Sequence, residues 1–298
     1  MTVDEVDIAW GDYRAVVASR GAALRTFTFQ GRDLVVPSGA GTVALGYSGM
    51  TMAPWPNRIV DGRYVFEGVT RQVEITEPER HHALHGFSPK LDFELVDKTE
   101  TSVTWRAEVG PREGYPWSVV VTSVSVVAAD GLTQTVTGWN RGPGRAPWGT
   151  GPHPYLVAGP GCVDEWTLSL PADRVLAVTD DRLIPTDLRP VSDEPERCDF
   201  REPRAIGDLR IDNAFTALRR DDRGLARVQV RAREVGVEMV FGDSCDWVQI
   251  YASDDAATRI GLGVEPMTCA PDAFNTGAGL VVLDEGDLHE ASWRIAAL

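Results

Sequence analysis

Four of the chain's five histidines, His81, His82, His85 and His153, lie in segments dense with glycine, proline and aromatic residues. Loops of that composition are where binding and catalytic side chains concentrate. His153 sits in Gly151-Pro152-His153-Pro154-Tyr155, where two prolines restrict the backbone on either side of the imidazole. Such a histidine suits proton transfer, or else serves as a turn residue bonded to a nearby carbonyl. Glu265, in Gly261-Leu262-Gly263-Val264-Glu265-Pro266-Met267, closes an apolar strand just before a proline. It is either a general base or an edge-strand charge facing water. His81 and His85 have the four-residue spacing of a helical zinc pair. There is no glutamate between them in the metalloprotease arrangement, however, and Gly86 and Pro89 follow where the helix would have to continue, so no metal site is expected.

The elements that must position these residues read as strands. Short segments rich in Val, Thr, Phe, Tyr and Trp recur between clusters of Gly, Pro, Asp and Asn, the pattern of antiparallel sheets. From Arg227 to Arg233, apolar Val228, Val230 and Ala232 alternate with polar neighbours, which predicts a strand bordering solvent. Ser118 to Ala129 is almost continuously apolar and is expected to be covered on both faces. Asp221-Asp222-Arg223-Gly224 reads as a hairpin turn, as does Gln30-Gly31-Arg32-Asp33 after Leu24–Phe29. The stretch from Leu183 to Arg210, punctuated by Pro185, Pro190, Pro195 and Pro203, is the best linker candidate, yet strand patterning resumes after it. It is read as a surface excursion of one all-β domain spanning residues 1–298.

Composition narrows the function. Asp and Glu outnumber Lys and Arg by 44 to 29, giving a net charge of −15 that repels phosphate backbones and anionic lipid heads. Neither nucleic acid nor membrane is an expected partner. Cys162, Cys198, Cys245 and Cys269 are too far apart for a zinc or redox motif and fit free thiols in a reducing cytoplasm. Asp4, Glu5 and Asp7 stand where a secretory signal would need positive charge. Oligomeric state leaves no mark in the sequence.

Four fragments taken in order carry a family resemblance. They are Asn57-Arg58-Ile59 with Gly62 and Tyr64, then Leu84-His85-Gly86, then His153-Pro154-Tyr155, and finally Val264-Glu265-Pro266 with Pro271-Asp272-Ala273-Phe274-Asn275. In this order and over this span the chain resembles the aldose 1-epimerase, or galactose mutarotase-like, family. The resemblance implies a large β-supersandwich, mostly antiparallel, and an enzyme that interconverts the anomers of an aldose without cofactor or metal. It also implies roles: His153 as general acid, Glu265 as general base, His85 at the ring oxygen, Asn57 and Arg58 at sugar hydroxyls, and Asp212, in Ile211-Asp212-Asn213, as the hydroxyl-binding aspartate. Leu156, Phe87 and the run Met267 to Ala270 depart from the usual motifs and bear on sugar specificity, while the acid and base are retained.

The net charge favours a neutral aldohexose, because a dianionic sugar would meet a repulsive mean field. The alternative on the same fold is a hexose 6-phosphate, with Arg80, Arg141 and Arg145 as candidate phosphate partners. A non-catalytic carbohydrate-binding protein would need neither His153 nor Glu265. A glycoside hydrolase would call for paired carboxylates, of which only Glu265 is well placed. A carboxylate near His153 is expected to raise the imidazole pKa. Trp55, Trp148, Tyr155 and Phe274 are candidates for stacking on the sugar, or for core packing.

Overall fold

A computed structural model describes residues 3–39, 42 and 45–298. The sandwich expected from the strand patterning forms, and its strand pairings are antiparallel. The larger sheet has nine strands, centred on Val119–Ala128, Gly131–Asn140, Leu288–Ala297 and Val235–Phe241. A six-stranded sheet runs in the order Tyr155–Leu156, Leu262–Met267, Trp247–Ala252, Ile211–Leu218, Ala172–Val178 and Pro185–Pro190. Four N-terminal strands, Glu5–Trp10 through Arg32–Asp33, form a third sheet that packs on the larger one. One hydrophobic cluster joins all three, with Phe27, Val121, Val228, Met239, Phe215, Ile250 and Val264 among its members. Burying such side chains contributes about 1.5–3 kcal/mol each. Helix is confined to single turns such as Pro195–Cys198 and Ala273–Thr276. No helix among the described residues is long and apolar enough to cross a membrane.

The strand Ala226–Ala232 buries Ala226, Val228, Val230 and Ala232 and turns Arg227, Gln229 and Arg231 outward, as the alternation predicted. Arg227 and Gln229 are nevertheless half-covered by bonds to Glu238 on the next strand. Val119–Ala128 is buried on both faces only at its start; by Val126 one face has opened to solvent. Gln30-Gly31 makes its hairpin, pairing Phe29 with Arg32.

The turn at Asp221 also forms, with the Gly224 N–H donating to the Asp221 carbonyl, but it is not a hairpin. The strand before it belongs to the six-stranded sheet and the strand after it to the nine-stranded one. Turn chemistry fixes a local reversal of the chain and leaves the pairing partner open, so here it carries the chain between layers. The proline-rich stretch is also more than a surface excursion. Val191, Cys198, Phe200 and Ile206 anchor it in the core, and its short strands extend both large sheets.

Candidate active site

Strand register builds the floor of the site. Glu265 lies opposite Gln249, and Tyr251, two residues on and therefore on the same face, lies opposite Asp212. Tyr155 lies opposite Gly263, again on the face of Glu265. One face of the six-stranded sheet thus presents Tyr155, Asp212, Gln249, Tyr251 and Glu265 together. These residues line a cavity of about 450 Å³, the size of a small-molecule site. Gly263 keeps the floor open, since a Cβ there would come within 2.9 Å of the Tyr251 Cβ.

The opposite wall is made of loops. The His153 N–H donates to the Met50 carbonyl and its own carbonyl accepts from the Gly49 N–H, which locks the proline-flanked turn in place. The His85 N–H donates to the Asn57 carbonyl, and the Asn57 N–H donates to His85 Nδ1 at 3.2 Å. With Nδ1 an acceptor, the proton of neutral His85 resides on Nε2 as a donor. Burial, the adjacent His153 and Arg58 hold the His85 pKa well below the usual histidine value, so it stays neutral. Tyr47, Asn57 and His85 all line this wall with φ between 55° and 60°, a region that side chains other than glycine seldom occupy. Clustered strain of this kind marks sites held for function.

Gly86 fixes the His85 turn. Its φ is 70°, and a Cβ would lie 2.1 Å from the Ala53 carbonyl oxygen, which already accepts from the Phe87 and Ser88 N–H groups. Gly86→Ala is therefore expected to destabilise the fold by more than about 2 kcal/mol, through both the left-handed backbone and the clash. Chemical denaturation checks this; a midpoint equal to that of the parent would refute the packing described for the turn.

His153 Nε2 and Glu265 Oε1 stand 3.4 Å apart, with the two residues only 6% and 2% exposed. The nearby carboxylate does not raise His153, as the sequence suggested it would. Burial dominates and pushes His153 down to about 4, while burial and the neighbouring Asp212 push Glu265 well above the usual carboxylate range. A glutamate held toward its neutral form cannot exert the field of a full charge. With His153 lowered and Glu265 raised, the pair holds one proton between the two shifted values, and Glu265 carries it. His153 Nδ1, Glu265 Oε2 and Gln249 Oε1 are buried without hydrogen-bond partners. Groups of this kind cost stability and are kept where a ligand can use them.

Arg58 is fixed by Glu77, which accepts from Nε at 2.8 Å and from Nη2 at 3.0 Å, and by Asp212, 3.4 Å from Nη2. Asp212 in turn accepts from Gln249 Nε2 at 2.5 Å. The Pro271-Asp272 motif acts from behind: the Asp272 N–H donates to the Arg58 carbonyl and its carboxylate accepts from the Val60 N–H. Asn57 Oδ1 accepts from the Arg58 N–H, so the contacts it makes position its neighbours.

All six residues singled out in the sequence, Asn57, Arg58, His85, His153, Asp212 and Glu265, therefore meet on one cavity. Tyr47, Glu77, Gln249 and Tyr251 were missed. Of the stacking candidates, Tyr155 alone lines the cavity, its hydroxyl bonded to the Gly46 carbonyl; Trp55, Trp148 and Phe274 are core. His81 and His85 lie on either side of the strand His82–Leu84, so the helical geometry of a zinc pair does not arise. Arg80 lines the cavity, but Arg141 stacks on Trp139 and Arg145 pairs with Glu67 and Asp284 elsewhere.

Comparison with known proteins identifies the family and the fold. The family model for aldose 1-epimerase matches residues 5–296. The uncharacterized Escherichia coli K12 protein YihR is 36% identical over 291 residues, covering 97% of this chain and 92% of that protein. Among solved structures, an aldose epimerase homologue from C. elegans superposes with a TM-score of 0.85 at 21% identity, covering 100% of this chain and 99% of that one. A galactose 1-epimerase from Lactobacillus acidophilus superposes at 0.79 with 12% identity, covering 100% and 99%. At such identities these two likenesses are of fold.

Proposed function

Because the chain belongs to the aldose 1-epimerase family, we propose that it is a mutarotase that opens and recloses an aldohexose ring, with His153 as acid and Glu265 as base. The observation that carries this reading is the buried 3.4 Å contact between the two groups. In a cyclic aldose the anomeric hydroxyl oxygen and the ring oxygen are bonded to the same carbon. An acid and a base that serve both at once must therefore be neighbours, as these are.

Moving the pair's proton from Glu265 to His153 Nε2 gives a carboxylate beside an imidazolium. The carboxylate takes the proton of the anomeric hydroxyl while the imidazolium protonates the ring oxygen, and the bond from C1 to that oxygen breaks to leave the free aldehyde. Rotation about C1–C2 and the reverse proton transfers close the ring on its other face. His85, donating from Nε2, would hold the ring oxygen, while Arg58 and Asp212 would hold hydroxyls. Such acid and base contributions are each worth about 10²- to 10⁴-fold. A protein that only bound sugar would have no use for burying two titratable groups against each other at a cost in stability.

Polarimetry on freshly dissolved anomers of glucose and galactose tests the reading, and its pH dependence tests the pair. Below the acid limb His153 gains a second proton while Glu265 still holds one, so no base remains. The kcat/KM profile is therefore expected to fall through a limb near pH 4, not near the ordinary histidine value of about 6.5. On the alkaline side activity is lost when the pair gives up its single proton, above the ordinary glutamate value of about 4.3 because Glu265 is raised. An acid limb at the ordinary histidine value, after subtraction of spontaneous mutarotation, would contradict the proposed protonation state.

A further inference from the structure

We propose that the sugar carries an oxyanion, a phosphate, sulfonate or carboxylate, at its end remote from C1, and that Arg197 and Arg210 bind it at the cavity mouth. The inference rests on the epimerase reading above and names its substrate class.

Four arginines, Arg58, Arg80, Arg197 and Arg210, line the cavity. Two of them are committed: Arg58 to Glu77 and Asp212, and Arg80 to Glu77 at 3.0 Å. Arg197 and Arg210 are different. Among the described residues neither has a carboxylate within 4.0 Å, although Asp180 and Asp254 also line the mouth. Each is next in sequence to a buried residue, Cys198 beside Arg197 and Ile211 beside Arg210. They reach the same cavity from separate elements, the single helical turn Pro195–Cys198 and the residue that enters the strand Ile211–Leu218. Unpaired guanidiniums from two segments facing one small cavity are suited to an oxyanion, which they can grip through directed, charge-assisted bonds.

The position of C1 orients the ligand. His153 and Glu265 are buried at the floor, whereas Arg197 and Arg210 are exposed at the rim. The part of a hexose that reaches the rim is then the part farthest from C1, which is where an anionic substituent would meet them. The overall charge of −15 does not forbid this. Distant surface carboxylates are screened beyond about 8 Å at physiological salt, while a guanidinium in contact is not. The cavity wall itself carries four arginines against five carboxylates, one of which, Glu265, burial holds toward neutrality.

Anomer exchange measured by NMR on glucose, glucose 6-phosphate, glucuronate and 6-deoxy-6-sulfoglucose tests the proposal and distinguishes dianion from monoanion. The readout is the ratio of kcat/KM for each anionic sugar to that for glucose. At least one ratio is expected to exceed about tenfold in the parent and to fall by about tenfold or more in Arg197→Gln and in Arg210→Gln, the scale of losing a charge-assisted bond. A general loss of folded protein cancels in the ratio. Glucose turned over as well as or better than every anionic sugar would overturn this inference and leave the epimerase reading standing. An anionic preference unmoved in both variants would overturn the assignment to these arginines. Exchange of no sugar in the panel would overturn the epimerase reading, and this inference with it.

Discussion

Glu265→Gln is expected to lower kcat by about 10²- to 10⁴-fold without lowering the melting temperature. The amide keeps the shape of the carboxyl group and its place beside Gln249 in the sheet, but it cannot accept the anomeric proton. Burial and Asp212 hold Glu265 toward its neutral form, which costs stability at neutral pH because the unfolded chain would ionise it; an amide, neutral in both states, avoids that cost. Activity and stability should then move in opposite directions, as happens when a site keeps a group that the fold alone would not favour. Thermal unfolding together with saturation kinetics checks both. A variant that keeps parental kcat would remove Glu265 from the mechanism, and one that merely melts early would give it a packing role.

His153→Ala is expected to cost a similar factor, about 10²- to 10⁴-fold in kcat, and to respond to added imidazole. The backbone of this turn is held by Met50 and Gly49, bonds that do not involve the side chain. The ring packs edge-on to His85 at 4.9 Å and near Tyr155 at 5.3 Å, so truncation leaves a space shaped for an imidazole. Partial recovery of turnover with exogenous imidazole, saturating with its concentration, would report a missing acid; a misplaced loop would not be rescued. The double variant with Glu265→Gln should be little worse than either single one, because a pair that moves one proton fails as a unit. Fully additive losses would mean that the two residues act independently.

His153 and Glu265 were legible as candidates from local chemistry, prolines around one and an apolar strand before the other, while their proposed roles as acid and base came from the family resemblance. Arg58 and His85 were reached through the order of the four motifs, and Asp212 through a separate match implied by the same resemblance. The all-β class was equally legible, since alternation and turn residues are local signals. Partners brought together by register were not. Gln249 faces Glu265 and Tyr251 faces Asp212 only once the strands have paired, and no spacing in the chain encodes that pairing. The turn at Asp221 shows the same limit, a correct reversal of the chain with the wrong partner. The pKa of His153 depended on burial that the sequence does not display, which is why a field argument gave the opposite sign. Arg197 and Arg210 lay in a stretch read as a surface excursion, and their common cavity appears only after residues such as Phe200 and Ile206 dock that stretch into the core.

The most direct test of the central claim is magnetisation transfer between the α and β anomeric protons of an aldohexose at equilibrium, measured with the parent and with Glu265→Gln. At equilibrium no net conversion occurs, so ring opening is seen without interference from product. Exchange that rises in proportion to parent protein and drops to the buffer rate with the variant is the result this account predicts. Exchange at the buffer rate with the parent protein across the sugar panel, or equal acceleration by the parent and the variant, would contradict it.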